Sequence, residues 1–235
     1  IRFAILLLLS SSAATYAINI APDGTAIVGV HTTINSSLGT PYYNTNVNPP
    51  TVLNNGNTNA TVDTWANNTN TNHSYIGVTW PATRIDQIKT ITVDFSTFLD
   101  GGWFGPNGQT PGPGNPLNTT LHHTEPTVQI TTDGGSIWSN VSATSNYPSQ
   151  MDGHQIGGGG NPNPTQLQST WTLTNPQSNI NGIRLIGREG GKAGSDSNGF
   201  IAASEISIDA SPTPVNPVLW ADPVRVLAGQ NTTLH

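Results

Sequence analysis

Polar and apolar residues alternate with period two along several short runs of this chain. In residues 74–80, Ile76, Val78 and Trp80 fall on one face. In residues 90–95, Ile91, Val93 and Phe95 face one way, and Thr90, Thr92 and Asp94 the other. Residues 127–131 and 171–174 repeat the pattern. Two further runs lie between residues 179 and 210: the branched stretch 183–186, and a run in which Ile206 and Ile208 oppose Glu205, Ser207 and Asp209. Short period-two runs bounded by turn residues predict strands half buried on a core. None has helical spacing, so the expectation is an all-β sandwich with Ile183, Leu185, Ile206 and Ile208 in its core. Residues 100–120 and 151–166 are long Gly/Pro/Asn segments; connections of that length usually carry function or mobility.

Composition narrows the function. Only 9% of the 235 residues are charged, against 34% hydrophobic, and six are Trp. Disordered chains combine high net charge with few aromatics, so the polar surplus belongs to loops. Net charge is −6 with seven Lys and Arg, too few to neutralise phosphates, and nucleic acid is not an expected partner. Cysteine is absent, which removes disulfide staples and the usual zinc sites. A domain of about 150 residues or more can close by burial alone.

Residues 1–17 read as a secretory leader: Arg2, an apolar run from Phe3 to Leu9, then small residues up to a cleavage point after Ala17. The sequence starts without Met, as if inside the leader. An apolar run this short falls below the roughly 20 residues a spanning helix needs, so the mature chain is expected to be extracellular, secreted or at the cell surface, with no membrane span. The folded domain is expected over residues 18–210, a stiff Pro-rich linker over 211–217, and the start of a second, immunoglobulin-like domain over 218–235. The N-x-S/T triplets at Asn35, Asn59, Asn67, Asn72, Asn118, Asn140 and Asn231 are read as chance in an Asn/Thr-rich chain.

Several residues invite chemistry. Trp103 and Phe104 follow Asp100-Gly101-Gly102, where exposed rings could stack on a sugar, or the Trp could cap the core. Arg188 and Glu189 are expected at the mouth of the 190–199 loop, where a guanidinium fork could hold vicinal hydroxyls or form a weak surface ion pair. His154 is a further candidate ligand residue from another loop. His122 and His123 are adjacent and point apart on a strand, so no zinc site is expected. Residues 131–138 nearly match the Asp box of sialidase propellers, but once only; a plain β-hairpin is the better reading. Glu205, on the face opposite Ile206, could complete an oxygen-rich calcium site or be solvated. A glycosidase needs two convergent carboxylates. Only Glu125, Glu189 and Glu205 are glutamates; loop aspartates could pair with them, but no spacing singles out such a pair, and the chain is read as non-catalytic.

In order along the chain, residues 52–56 with Trp65, residues 75–80, residues 128–138, residues 183–185 and residues 203–208 are similar to the discoidin, or coagulation-factor type C, family. The resemblance covers roughly residues 18–210. It implies a galactose-binding-like jelly roll of eight strands, a structural calcium, and a ligand site on loops at one end. Members bind glycans, lipid headgroups or cell-surface proteins as accessory modules. Glu205 matches the family's late Glu; Asn55 stands where the family often has Asp; Asp63 completes the expected metal set. The missing disulfide favours a bacterial carbohydrate-binding relative. The sequence thus points to an exported glycan-binding or adhesion module of a larger multidomain protein. An accessory domain of a glycoside hydrolase or sialidase and a structural matrix protein are the alternatives.

Overall fold

The computed structural model describes residues 17–65, 73–84, 86–96, 101–105, 125–147, 167–191 and 199–212. These form two antiparallel sheets. The first runs β1 (Ile18–Asn19), β13 (Ala202–Ser211), β6 (Gln87–Phe95), β11 (Leu167–Gln177), β10 (Ala143–Ser145), with β4 (Val62–Asp63) also on β13. The second runs β3 (Thr40–Pro41), β2 (Thr25–His31), β5 (His73–Arg84), β12 (Ile180–Gly191), β8 (Thr127–Thr131), β9 (Ser139–Val141), with β7 (Gly101–Phe104) on the far end of β12. The six runs read from the alternation all lie within strands, and the all-β sandwich expected from them is the architecture observed.

One core fills the space between the sheets. Ile91, Val93, Phe95, Trp171, Ile206 and Ile208 face it from the first sheet, and Ile76, Val78, Trp80, Ile183 and Leu185 from the second. The alternate residues of the second sheet, Tyr75, Arg184 and Gln129, point to its outer face. They are buried there as well, because residues 35–38 fold back over them. Arg184 Nη1 donates to Leu38 O at 2.8 Å, and Nη2 donates to Ser37 O at 2.8 Å. Nε and Nη2 both donate to Gln129 Oε1. The guanidinium also lies 4.4 Å from the Trp138 ring centroid and 5.1 Å from that of Tyr75, inside cation–π range.

Residues 131–138 form the turn of the β8–β9 hairpin. Asp133 Oδ1 accepts from the backbone N–H of Ser136 and of Ile137, both at 3.0 Å, and Trp138 Nε1 donates to Gly135 O. Gly134 and Gly135 take positive φ of 78° and 98°. This is the single hairpin device, with Trp138 packed beneath it.

Candidate functional site

One end of the second sheet gathers polar and aromatic side chains. The register sets His31 opposite His73 and His73 opposite Arg188, a row across β2, β5 and β12. Arg188 is exposed. Thr64 and Ser74 share a hydrogen bond between hydroxyls at 2.9 Å. This draws the chain after β4 to the start of β5. Trp65 is 48% exposed, unlike the buried indoles of Trp80, Trp103, Trp138 and Trp171. Its backbone is held at both ends: Trp65 N–H donates to Asp63 Oδ1, and the Tyr42 hydroxyl donates to Trp65 O. His31 Nδ1 accepts from Thr33 N–H at 3.0 Å, so the neutral ring donates from Nε2 to Ser37 Oγ at 2.6 Å. Burial, then the nearby Arg184 and His73, push its pKa down and favour that neutral form.

Glu189 departs from expectation. β12 continues to Gly191, so Glu189 lies in a strand rather than at a loop mouth. It faces inward, is buried, and accepts from Ser74 Oγ. Burial pushes its carboxyl up to about 7, against the Ser74 hydrogen bond. The surface ion pair considered for it is ruled out by that burial.

Trp103 and Phe104 require a correction: they do not form an exposed stacking face. Both rings are fully buried. β7 pairs with β12, Phe104 opposite Glu189, and two glycines of β12 make room for the rings. A Cβ at Gly190 would stand 2.1 Å from the Trp103 ring, and one at Gly187 would stand 2.9 Å from Phe104. Phe104 N–H donates to the Tyr147 hydroxyl at 2.7 Å, and its ring meets Phe95 edge-on at 6.0 Å. His154, with His122 and His123, lies outside the described residues.

The expected metal residues part company. Glu205 belongs to the solvent face by simple alternation, yet it is buried. It keeps that face, opposite Asp94, and the loop at Gly56 meets it there. Glu205 Oε2 accepts from Gly56 N–H at 3.0 Å, while Oε1 is buried with no hydrogen-bond partner. Burial pushes this carboxyl up to about 7, opposed by the Gly56 N–H and reinforced by Asp94. Asn55 sits in the same loop, exposed, its Oδ1 accepting from Asn57 N–H. Asp63 does not join them. It pairs with Ala202, three residues before Glu205, and its carboxylate is engaged by Trp65 N–H and the Asn44 side chain; burial raises its pKa. Among the described residues no three His, Cys, Asp or Glu stand close enough to hold an ion. A calcium here would take the Glu205 carboxylate and neutral loop oxygens, a set this hard cation accepts. The orphaned Glu205 Oε1 fits that role.

A cleft of about 380 Å³ opens beside this end, along β2. Ile27, Leu38, Tyr42, Tyr43, Thr45 and Tyr75 line it. The sequence reading passed over these tyrosines; the signal was the Pro41-Tyr42-Tyr43 triplet, adjacent rings after a turn.

No family model matches the chain, and no curated protein matches it. Among solved structures, it is similar to the family 32 carbohydrate-binding module of NanJ from C. perfringens, in complex with galactose. That match has 13% identity and TM-score 0.45, and covers 83% of this chain and 99% of that one. It is also similar to another Clostridium perfringens module of that kind in complex with GalNAc-β-1,3-galactose, at 13% identity and TM-score 0.45, over 81% of this chain and 99% of that one. An F5/8 type C domain from Bacteroides fragilis matches at 9% identity and TM-score 0.37, over 85% of this chain and 98% of that one.

Proposed function

We propose that this chain is an exported, non-catalytic carbohydrate-binding module that takes its glycan at the Trp65–Arg188 end of the sandwich. The observation that supports this is Trp65. It is a large ring left half exposed, with its backbone held by two hydrogen bonds, and Arg188 is exposed on β12 opposite His73. An indole offers the apolar face that a sugar's C–H surface covers at low entropic cost, and a guanidinium offers paired donors for vicinal hydroxyls. The non-catalytic reading rests on the glutamates. Glu189 is held by Ser74 and Glu205 by Gly56, on different sheets, while Glu125 is exposed. They do not form the convergent pair that glycoside hydrolysis uses. Export rests on the leader pattern of residues 1–17, and adhesion as part of a larger surface protein is the role that fits such a module. Isothermal titration and a glycan array test the reading. The intact chain is expected to bind glycan, and Trp65→Ala to weaken binding about tenfold or more, the effect of losing one aromatic contact of roughly 1.4 kcal/mol. Absence of glycan binding by the intact chain would sink it.

A further inference from the structure

We infer that the Tyr42–Tyr43 cleft along β2 is a second sugar subsite, one that takes a neutral pyranose ring. This rests on the carbohydrate-binding reading and extends it from the Trp65 end to a neighbouring part of the surface. The volume, about 380 Å³, lies at the small end of ligand sites, which run from roughly 300 to 1,000 Å³, and suits one or two rings. Tyr42 and Tyr43, with Pro41 and Pro50, supply flat apolar faces; Tyr75, also in the lining, is fully buried.

Polar groups stand at the rim. β3 pairs only with Gly29 and Val30 of β2, and Tyr42 N–H donates to Val28 O. Backbone groups on an antiparallel strand alternate in direction. Ala26 therefore turns its N–H and C=O to the same edge as Val28, past the reach of β3 and into the cleft. The Thr45 and Tyr43 hydroxyls can each donate and accept, and can rotate to suit a sugar hydroxyl. One open residue is too short for an added peptide strand, which needs a row of main-chain bonds. It is enough to orient a ring.

The cleft's chemistry also selects against charge. None of its lining side chains is ionised at neutral pH, so a uronate or sialate carboxylate would be buried there without a partner, at a cost of several kcal/mol. The Tyr42 hydroxyl, donating to Trp65 O, ties the cleft to the first site, so two linked sugar units could occupy both.

The test is a two-dimensional amide NMR titration of the full chain with methyl β-galactopyranoside, with cellobiose and with galacturonic acid. Two variants fill the cleft: Ile27→Trp, on the strand, and Thr45→Trp, on the exposed rim where folding is not at issue. A neutral sugar is expected to shift the amides of residues 26–28 and 42–45, with galacturonic acid leaving them in place. Thr45→Trp is expected to weaken that response at least tenfold. Shifts confined to Trp65, His73 and Arg188, unchanged in both variants, would overturn the cleft subsite and leave the carbohydrate reading standing. No shift anywhere with any sugar would overturn both.

Discussion

Glu189 and Glu205 both read in the sequence as acids that meet solvent, Glu189 at a loop mouth and Glu205 on the open face of a strand. The folded chain buries both, and the contacts that do so come from far away: Ser74 lies 115 residues from Glu189, and Gly56 lies 149 from Glu205. Periodicity sees only neighbours along the strand, so neither burial could be read locally. It has a measurable consequence at Glu189. Its carboxyl ordinarily titrates near 4.5 and is raised to about 7 by burial. Between those values the folded chain keeps a proton that the unfolded chain has released. Its contribution to stability is therefore complete below about pH 4.5 and is lost as pH rises through about 7. Glu205 is shifted the same way, so Glu189→Gln should flatten the slope without abolishing it. Thermal melts between about pH 5 and 8 with calcium chelated read this out; curves for parent and variant that run parallel would contradict it.

At the scale of elements, the strands were legible and the surface between them was not. Alternation located β5, β6, β8, β11, β12 and β13 because each buries one face on the common core, and half burial is what a period of two encodes. It failed at β7, where Trp103 and Phe104 looked like an exposed pair. The glycines that receive them, Gly187 and Gly190, lie more than eighty positions later in the chain. It was also silent on residues 32–39, which look like an ordinary polar loop and yet roof the outer face of the second sheet. Arg184 is what holds that roof. Its guanidinium is fully buried, satisfied by the carbonyls of Asn35, Ser37 and Leu38 and by Gln129 Oε1. Arg184→Ala leaves the buried Gln129 Oε1 and three part-buried loop carbonyls without this donor; a buried acceptor left unpaired costs about 1–3 kcal/mol, so a loss of at least about 2 kcal/mol is expected in urea unfolding. Arg184→Lys should recover little, because an ammonium lacks the planar fork that reaches acceptors on two sides. Hydrogen exchange should show residues 35–38 losing protection before β5 or β12 does. Equal protection in both variants would mean that the loop is held by something other than Arg184.

Across the whole molecule, Glu205 joins β13 of the first sheet to the loop at Asn55–Gly56, 149 residues earlier in the chain. The family resemblance placed a calcium ligand at this residue. The burial of Oε1 without a partner gives that placement a physical reason, since an orphaned carboxylate oxygen is costly unless something positive meets it. Ligand binding to the folded state alone adds about 2.7 kcal/mol at a free concentration of 100 times Kd. In a domain of about 150–250 residues each kcal/mol moves Tm by about 2–4 °C, so saturating calcium is expected to raise Tm by roughly 5–10 °C over chelated protein. Magnesium should do less, because it resists dehydration and demands stricter geometry. Glu205→Gln separates an ion site from a merely buried acid. In chelator the variant should melt at or above the parent, because it removes a charge that burial disfavours. In calcium it should melt below, because it removes the carboxylate that would hold the ion. Curves that cross in this way locate the ion at Glu205. A variant that melts below the parent in both buffers would mean that the carboxylate stabilises the fold through its hydrogen bonds to the loop, with no ion required.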